Sequence, residues 1–357
     1  MSVHDASIRK TLATVALALA LGAVACSGEG EPTGPTPPPP PPPPPPSPSL
    51  TGKIVFESNR GGNYDIHVMN ADGTGVTQLT TDPAFDFEPE WSPDGSLIVF
   101  VSRRDGNDEI YVMNADGSAQ TRLTNHGGSD RNPTWSPNGT KIAFEGKRLE
   151  NDEIYVMNAD GSGLVNLTNH PAEDQHPAWS PDGGRIAFQS ERLSPDNLEV
   201  FVMNADGSGV TNLSNHSGVF DGRPAFSPDG SSIAFASGRT GNLELYRMNA
   251  NGSGQTQLTF DSALDSYPAW SADGTYLTFR SDRAGNIEVF TIKADGTGAA
   301  NRSNHAATDC HPDWLPAAGA ALRAPIAAVM AAPAVRPVRN RQSLAAQLAM
   351  ESSCLGN

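Results

Sequence analysis

Trp91-Ser92-Pro93-Asp94-Gly95 returns along this chain as Trp135-Ser136-Pro137-Asn138-Gly139, Trp179-Ser180-Pro181-Asp182-Gly183, Phe226-Ser227-Pro228-Asp229-Gly230 and Trp270-Ser271-Ala272-Asp273-Gly274. A degenerate sixth copy is Trp314-Leu315-Pro316-Ala317, and the steps are 44, 44, 47, 44 and 44 residues. A second marker, built on Met-Asn-Ala-Asp-Gly, keeps the same period at Asp72, Asp116, Asp160, Asp206, Asn251 and Asp295. Six copies at one period define an array of supersecondary units.

Within a unit, short segments alternate in the strand period of two and are separated by turn residues. In one full copy these are 133–136, 141–144, 153–157 and 164–167. The Asp-Gly and Asn-Gly pairs supply tight turns, with Gly where a positive φ is needed. Four strands in about 44 residues is the size of a propeller blade. Along the third strand both faces are apolar, Ile154 and Val156 on one and Tyr155 and Met157 on the other. Such a sheet must be sandwiched between neighbours. The reading is an all-β fold, a six-bladed β-propeller of four-stranded antiparallel blades. The first unit opens at Lys53 without an aromatic inner strand before it, and the last inner strand, 311–314, has no unit after it. The C-terminal strand is therefore expected to complete the first blade, which removes an exposed sheet edge.

The pattern P-x-W-S-P-D-G, I-x-F, R-x-G-N-x-E-I-Y-V-M-N-A-D-G and L-T resembles the WD-like repeat of TolB-type β-propellers, also found in tricorn-type and dipeptidyl-peptidase-type propellers. The resemblance covers residues 53–315. It implies a non-enzymatic, protein-binding propeller of the bacterial envelope, since the TolB propeller docks the peptidoglycan-associated lipoprotein Pal. The α/β domain that precedes the TolB propeller is replaced here by a proline stalk, so a TolA-facing role is not expected. An alternative is a carbohydrate-active propeller, a metal-dependent lyase or binder, using channel-mouth His and Asp.

The ends are of another character. Arg9 and Lys10 precede a short apolar run, 12–25, too short to span a membrane and suited to an export signal, 1–25. Ala23-Val24-Ala25-Cys26 resembles a lipobox, which implies lipidation at Cys26; cleavage that leaves a plain thiol there is the competing reading. Residues 26–50 hold an unbroken run of ten prolines, Pro37 to Pro46, a polyproline II spacer of about 30 Å. The domains are thus 1–25 signal, 26–50 linker, 51–315 propeller and 316–357 an Ala-, Pro- and Arg-rich tail expected to be disordered. The expected location is the outer membrane of the envelope, held by the N-terminal lipid alone, with a soluble periplasmic or secreted form as the alternative. Cys310 and Cys354 can pair in an oxidising compartment or remain free thiols; their separation is not set by the sequence.

The formal charge is −16, and residues 51–315 carry 18 Lys and Arg against 36 Asp and Glu. That balance disfavours nucleic acid, whose phosphates need basic partners. No G-x-S-x-G, Walker loop, H-E-x-x-H or C-x-x-C occurs, so no catalytic residue, cofactor or metal site is assigned.

Two sets of polar residues lie before the inner strands. Asp86, Asp130, Asp174, Asp221, Asp265 and Asp309 recur in every unit and should ring one channel mouth, with Arg60, Arg104, Arg148, Arg192, Arg239 and Arg283 in loops on the same face. A residue present in every blade serves the blade, so this acidic ring is read as structural, holding neighbouring blades. Rim histidines His126, His170, His216 and His305 sit on different blades and read as solvated. Positions that differ between blades are better site candidates: Glu88, Asn132, His176, Arg223, Tyr267 and His311, with Phe87, Arg131 and Gln175 beside them. Their mixed polar and aromatic character suits an envelope protein or peptide partner.

Overall fold

A computed structural model describes residues 50–316 except 149, 195, 196 and 217. The export signal, Cys26, the proline run, Cys354 and the tail beyond 316 lie outside the described residues. Of the two units into which the chain divides, Met1–Ser47 and Pro48–Asn357, the described residues all belong to the second.

Among the described residues, 24 strands form six four-stranded antiparallel sheets. Blade 2 runs Asp86–Trp91, Leu97–Ser102, Glu109–Asn114 and Thr121–Arg122 from the channel outward. Blades 3 to 6 repeat it from inner strands Asp130–Trp135, Asp174–Trp179, Asp221–Phe226 and Asp265–Trp270. Each inner strand begins at the repeated Asp, two or three residues before the segment read from the sequence. Each outer strand is only two residues long, as at Val165–Asn166, where the sequence suggested four. A short outer strand leaves little open edge for unwanted pairing.

Blade 1 is built from both ends of the repeat array. Its inner strand is Asp309–Trp314, paired antiparallel with Lys53–Ser58, and then come Asp65–Asn70 and Thr77–Gln78. Ile54 faces Trp314 and Ser58 faces Asp309 in this register. The expected closure by the C-terminal strand is what the sheet shows.

The period-two alternation sends side chains to two different cores. From blade 2, Ile98, Phe100, Tyr111 and Met113 pack on blade 1, while Val99, Val101, Ile110 and Val112 pack on blade 3. One phenylalanine per second strand, Phe56, Phe100, Phe144, Phe188, Phe235 and Phe279, is fully buried, worth about 1.5–3 kcal/mol each. The Asn-Ala-Asp-Gly turns also fit the neighbouring blade. Gly117 has φ +86°, and a Cβ there would lie 2.5 Å from the carbonyl oxygen of Leu79 on blade 1. Only glycine permits that approach.

Candidate functional site

The recurrent Asp residues take their place first. Each is buried at the start of its inner strand. Each pairs with the Arg that comes after the second strand of the same blade: Asp86 with Arg104 at 2.9 Å, Asp130 with Arg148 at 2.5 Å, Asp174 with Arg192 at 2.6 Å. Asp221–Arg239, Asp265–Arg283 and Asp309–Arg60 are at 2.7, 2.5 and 2.8 Å. The carboxylates are thus buried and paired, and the pairs staple two strands within one blade rather than joining blades. Asp heads a strand instead of sitting in a loop, and that places it under the Arg. In blade 1 the same pair joins residues 249 apart and so bolts the ring shut.

Three of the four rim histidines hold their own loops. Nδ1 of His126, His170 and His305 accepts the N–H two residues on, from Gly128, Ala172 and Ala307. Asp82 and Asp261, at the same repeat position, accept from Ala84 and Ala263 with a carboxylate oxygen. Asp and His interchange there because each offers an acceptor at the same reach. Among the described residues no group of three or more His, Cys, Asp or Glu is disposed to hold a metal ion.

The blade-variable residues behave differently. Every inner strand carries a β-bulge before or at its proline, where pairing with the second strand shifts register. At that bulge Glu88, Asn132, His176, Arg223, Tyr267 and His311 all have positive φ, between 45 and 57°. A left-handed conformation is costly for side-chain-bearing residues, about 1–3 kcal/mol where the surroundings enforce it. A bulge re-aims the side chain. All six line a central cavity of about 600 Å³. The prolines next in the chain, Pro89, Pro133, Pro177, Pro224, Pro268 and Pro312, line it as well. Lacking an N–H, each fits the channel-facing edge, where no ladder bond is owed.

The bulge leaves an N–H without a partner on its own blade, and the preceding blade supplies one. The Glu88 N–H donates to Glu57 at 2.7 Å, His176 to Glu145 at 3.2 Å and Arg223 to Gln189 at 3.1 Å. In blade 2 the corresponding residue is Val101, which cannot accept, and Glu88 itself receives the Asn132 N–H at 2.7 Å. Glu57, Val101, Glu145, Gln189, Ala236 and Arg280 occupy one position, immediately after the core Phe of each second strand. The sequence reading missed them. Their variation from blade to blade was the available signal.

The channel has two unlike walls. Blades 1 and 2 line it with Glu88, Glu90 and Asp313, and Glu57 and Glu145 are buried beside it, Glu57 with an Oε1 2.9 Å from Nδ1 of His311. Glu90 accepts the Trp135 N–H at 2.8 Å and Asp313 accepts that of Trp91 at 2.9 Å. Blades 4 to 6, with His311 of blade 1, contribute a basic and aromatic wall centred on Tyr267. His311 meets the Tyr267 ring edge-on at 4.1 Å between centroids, and His176 meets it at 5.6 Å. The guanidinium carbons of Arg223 and Arg280 lie 4.3 and 4.5 Å from the same ring. Since blades 1 and 4 stand opposite each other, His311, Tyr267 and His176 form a bar across the channel. Beyond it the cavity is lined by Trp91, Trp135, Trp179, Phe226, Trp270 and Trp314. Arg131 and Gln175 reach the preceding blade instead, at Asp108 and Asp152. Phe87 is a core residue between blades 2 and 3, not a mouth residue. The bulge that turns Glu88 into the channel leaves Phe87 facing the sheet interface.

Burial governs the acids here. It raises Asp130 to about 7, against the pull of Arg148, and Asp221 and Glu88 to about 6. Glu90 stands well above the ordinary range through burial and the charge of Asp313, and burial lifts Asp313 to about 7. A group with a raised native pKa stabilises fully below its unfolded value and loses that contribution as pH rises through the native one. Asp72, Asp116 and Asp160, lowered by turn hydrogen bonds, act oppositely below about pH 4. Thermal stability is thus expected to peak near pH 5, with Tm lower by about 4 °C or more at pH 8. Calorimetry across that range checks it, and Glu90→Gln should flatten the decline. A Tm that rises from pH 5 to 8 would contradict it.

Ring closure, six four-stranded blades and a channel with two unlike walls define a β-propeller of the kind that presents a central site. The TolB β-propeller domain model matches residues 44–148 and 212–323, and the tricorn protease N-terminal β-propeller model matches 107–199. The chain belongs to the TolB β-propeller domain family. No curated protein matches the sequence. TolB from Acinetobacter baumannii is similar in structure at 22% identity and a TM-score of 0.66, over 75% of this chain and 67% of that one. A putative TolB from Agrobacterium tumefaciens is similar at 20% and 0.58, over 75% and 99%. An oligogalacturonate lyase in complex with manganese is similar at 17% and 0.53, over 71% and 74%. At these identities the likeness is one of fold.

Proposed function

We propose that this protein is a non-enzymatic envelope scaffold that binds a protein partner at the channel mouth, held to the membrane by a lipid on Cys26. One observation carries the reading. Six equivalent backbone positions, all in a strained left-handed conformation, aim Glu88, Asn132, His176, Arg223, Tyr267 and His311 into one channel, and five different side-chain types stand there. A repeat that keeps its backbone here and varies the side chain it aims into the channel concentrates specificity in these six positions. The family supports an envelope setting, and Tyr and Arg at the centre suit an interface anchor.

In-cell photo-crosslinking tests it. A photoreactive residue at Asn132 is expected to give one saturable adduct, absent when the probe sits at Val165 on the outer edge. Equal labelling from both positions would overturn the reading. So would turnover of an acidic oligosaccharide that is lost on His176→Ala, which would favour the lyase-type alternative.

A further inference from the structure

Three exceptions to the repeat meet at one place, the junction of blades 5 and 6. Where the other blades open their second strand with Lys53, Leu97, Lys141, Arg185 or Tyr276, blade 5 has Ser232. Where their third strand carries Val68, Val112, Val156, Val202 or Thr291, blade 5 has Arg247. Where every other blade has proline after the inner strand, blade 6 has Ala272. Together with Trp270 these three residues line one cleft of about 420 Å³, set between the Ser227–Gly230 and Ser271–Gly274 turns. We propose that this cleft binds a saccharide ring carrying a carboxylate, a uronic acid, as a second site apart from the channel mouth.

The exceptions open the cleft in a definite way. A long side chain at the start of the second strand covers the aromatic residue of the next blade. Arg185 stands over the Phe226 ring at 5.5 Å, and Tyr276 stacks on Trp314 at 6.5 Å. Ser232 is too short to do this, and Trp270 stays half-buried at the cleft. The Trp270 indole N–H donates to the Ala225 carbonyl at 3.1 Å, which fixes the ring and leaves its apolar surface for contact. Arg247 brings a guanidinium to a position that is valine or threonine elsewhere. It donates to the Ala294 carbonyl at 3.2 Å, and among the described residues no carboxylate pairs with it. Asp229 and Asp273 stand at the rim, each already accepting the backbone N–H two residues on, from Ser231 and Thr275.

The walls select the ligand. An apolar ring surface edged by short hydroxyl and carboxylate groups suits a pyranose, whose C–H face packs on the aromatic ring while its hydroxyls bond at the edge. Arg247 adds a forked donor that fits a carboxylate. The two rim aspartates, in a propeller with 18 basic against 36 acidic residues, disfavour the doubly charged phosphate group and tolerate a single carboxylate. A cleft of about 420 Å³ has the size of a small-ligand pocket and not of a protein interface.

Saturation-transfer NMR on the full chain tests this, with the methyl glycosides of glucuronic, galacturonic and mannuronic acid as probes. At least one is expected to receive saturation at its ring protons, and silence from all of them overturns the proposal. The matching uncharged glycoside should bind at least tenfold more weakly; equal binding overturns the carboxylate's place on Arg247. Displacement of the probe by an equal concentration of inorganic phosphate overturns the sugar in favour of a plain anion site. Arg247→Val and Ser232→Lys each restore a residue that other blades carry at that position. Both should keep the melting transition and weaken binding at least tenfold, and undiminished binding by either folded variant overturns the cleft. His176→Ala, at the channel mouth, should bind the probe unchanged; loss of binding there moves the sugar to the channel and overturns a second site. No protein partner is present in these measurements, so a failed crosslink at Asn132 and a failed cleft are distinguishable.

Discussion

A chain ended after Thr308 is expected to yield no folded monomer. It loses the inner strand Asp309–Trp314, and with it the whole inner edge of blade 1. Arg60 loses its counter-ion Asp309, and breaking a buried pair by removing one partner costs about 3–5 kcal/mol. Trp314 leaves the core shared by blades 1 and 6, a loss of about 3–5 kcal/mol for a buried tryptophan. Against a typical domain stability of about 5–15 kcal/mol, the two together are enough to unfold the ring. Size-exclusion chromatography and circular dichroism should show aggregate or unfolded chain, whereas a chain ended after Pro316 should still melt cooperatively. A monomeric, cooperatively melting truncate at Thr308 would refute closure by this strand.

The second large effect falls on binding and leaves the fold in place. Tyr267→Ala removes the bar between blades 1 and 4 and strips Arg223 and Arg280 of their shared aromatic contact. Truncation of a central aromatic anchor costs about 2 kcal/mol or more, which is roughly a 30-fold loss of affinity. The adduct formed through Asn132 should fall at least tenfold in this background, with the melting transition retained because Tyr267 faces the channel and not a core between blades. Tyr267→Phe keeps the ring and should keep most of the adduct. An undiminished adduct from a folded Tyr267→Ala chain would remove Tyr267 from the site.

The two kinds of residue in the channel differed in how far the sequence could show them. Glu88, Asn132, His176, Arg223, Tyr267 and His311 stood out because a repeat displays its own exceptions. Glu57, Glu145, Gln189 and Arg280 vary by the same rule, but they lie mid-strand beside a core phenylalanine, where alternation alone assigns them to packing. Glu57, Glu145 and Gln189 take their role from the bulge on the next blade, whose unpaired N–H they accept. The recurrent Asp residues were legible as structural but not in their detail: the sequence suggested that they hold neighbouring blades, while three more strand residues placed each one beneath an Arg of its own blade.

What the sequence determined by itself was the periodic part. A 44-residue repeat, two-sided apolar strands, Asp-Gly turns and an inner strand displaced to the C-terminal end specify six blades and their closure, because these are local or register properties repeated six times. What the tertiary structure alone decided was how unrelated blades meet in the channel. The bar of His311, Tyr267 and His176 and the mutual burial that lifts Glu90 and Asp313 arise among residues 44 or more apart in the chain, and the two walls among residues of different blades. Ring closure brings them together, and no property of a single repeat encodes that meeting.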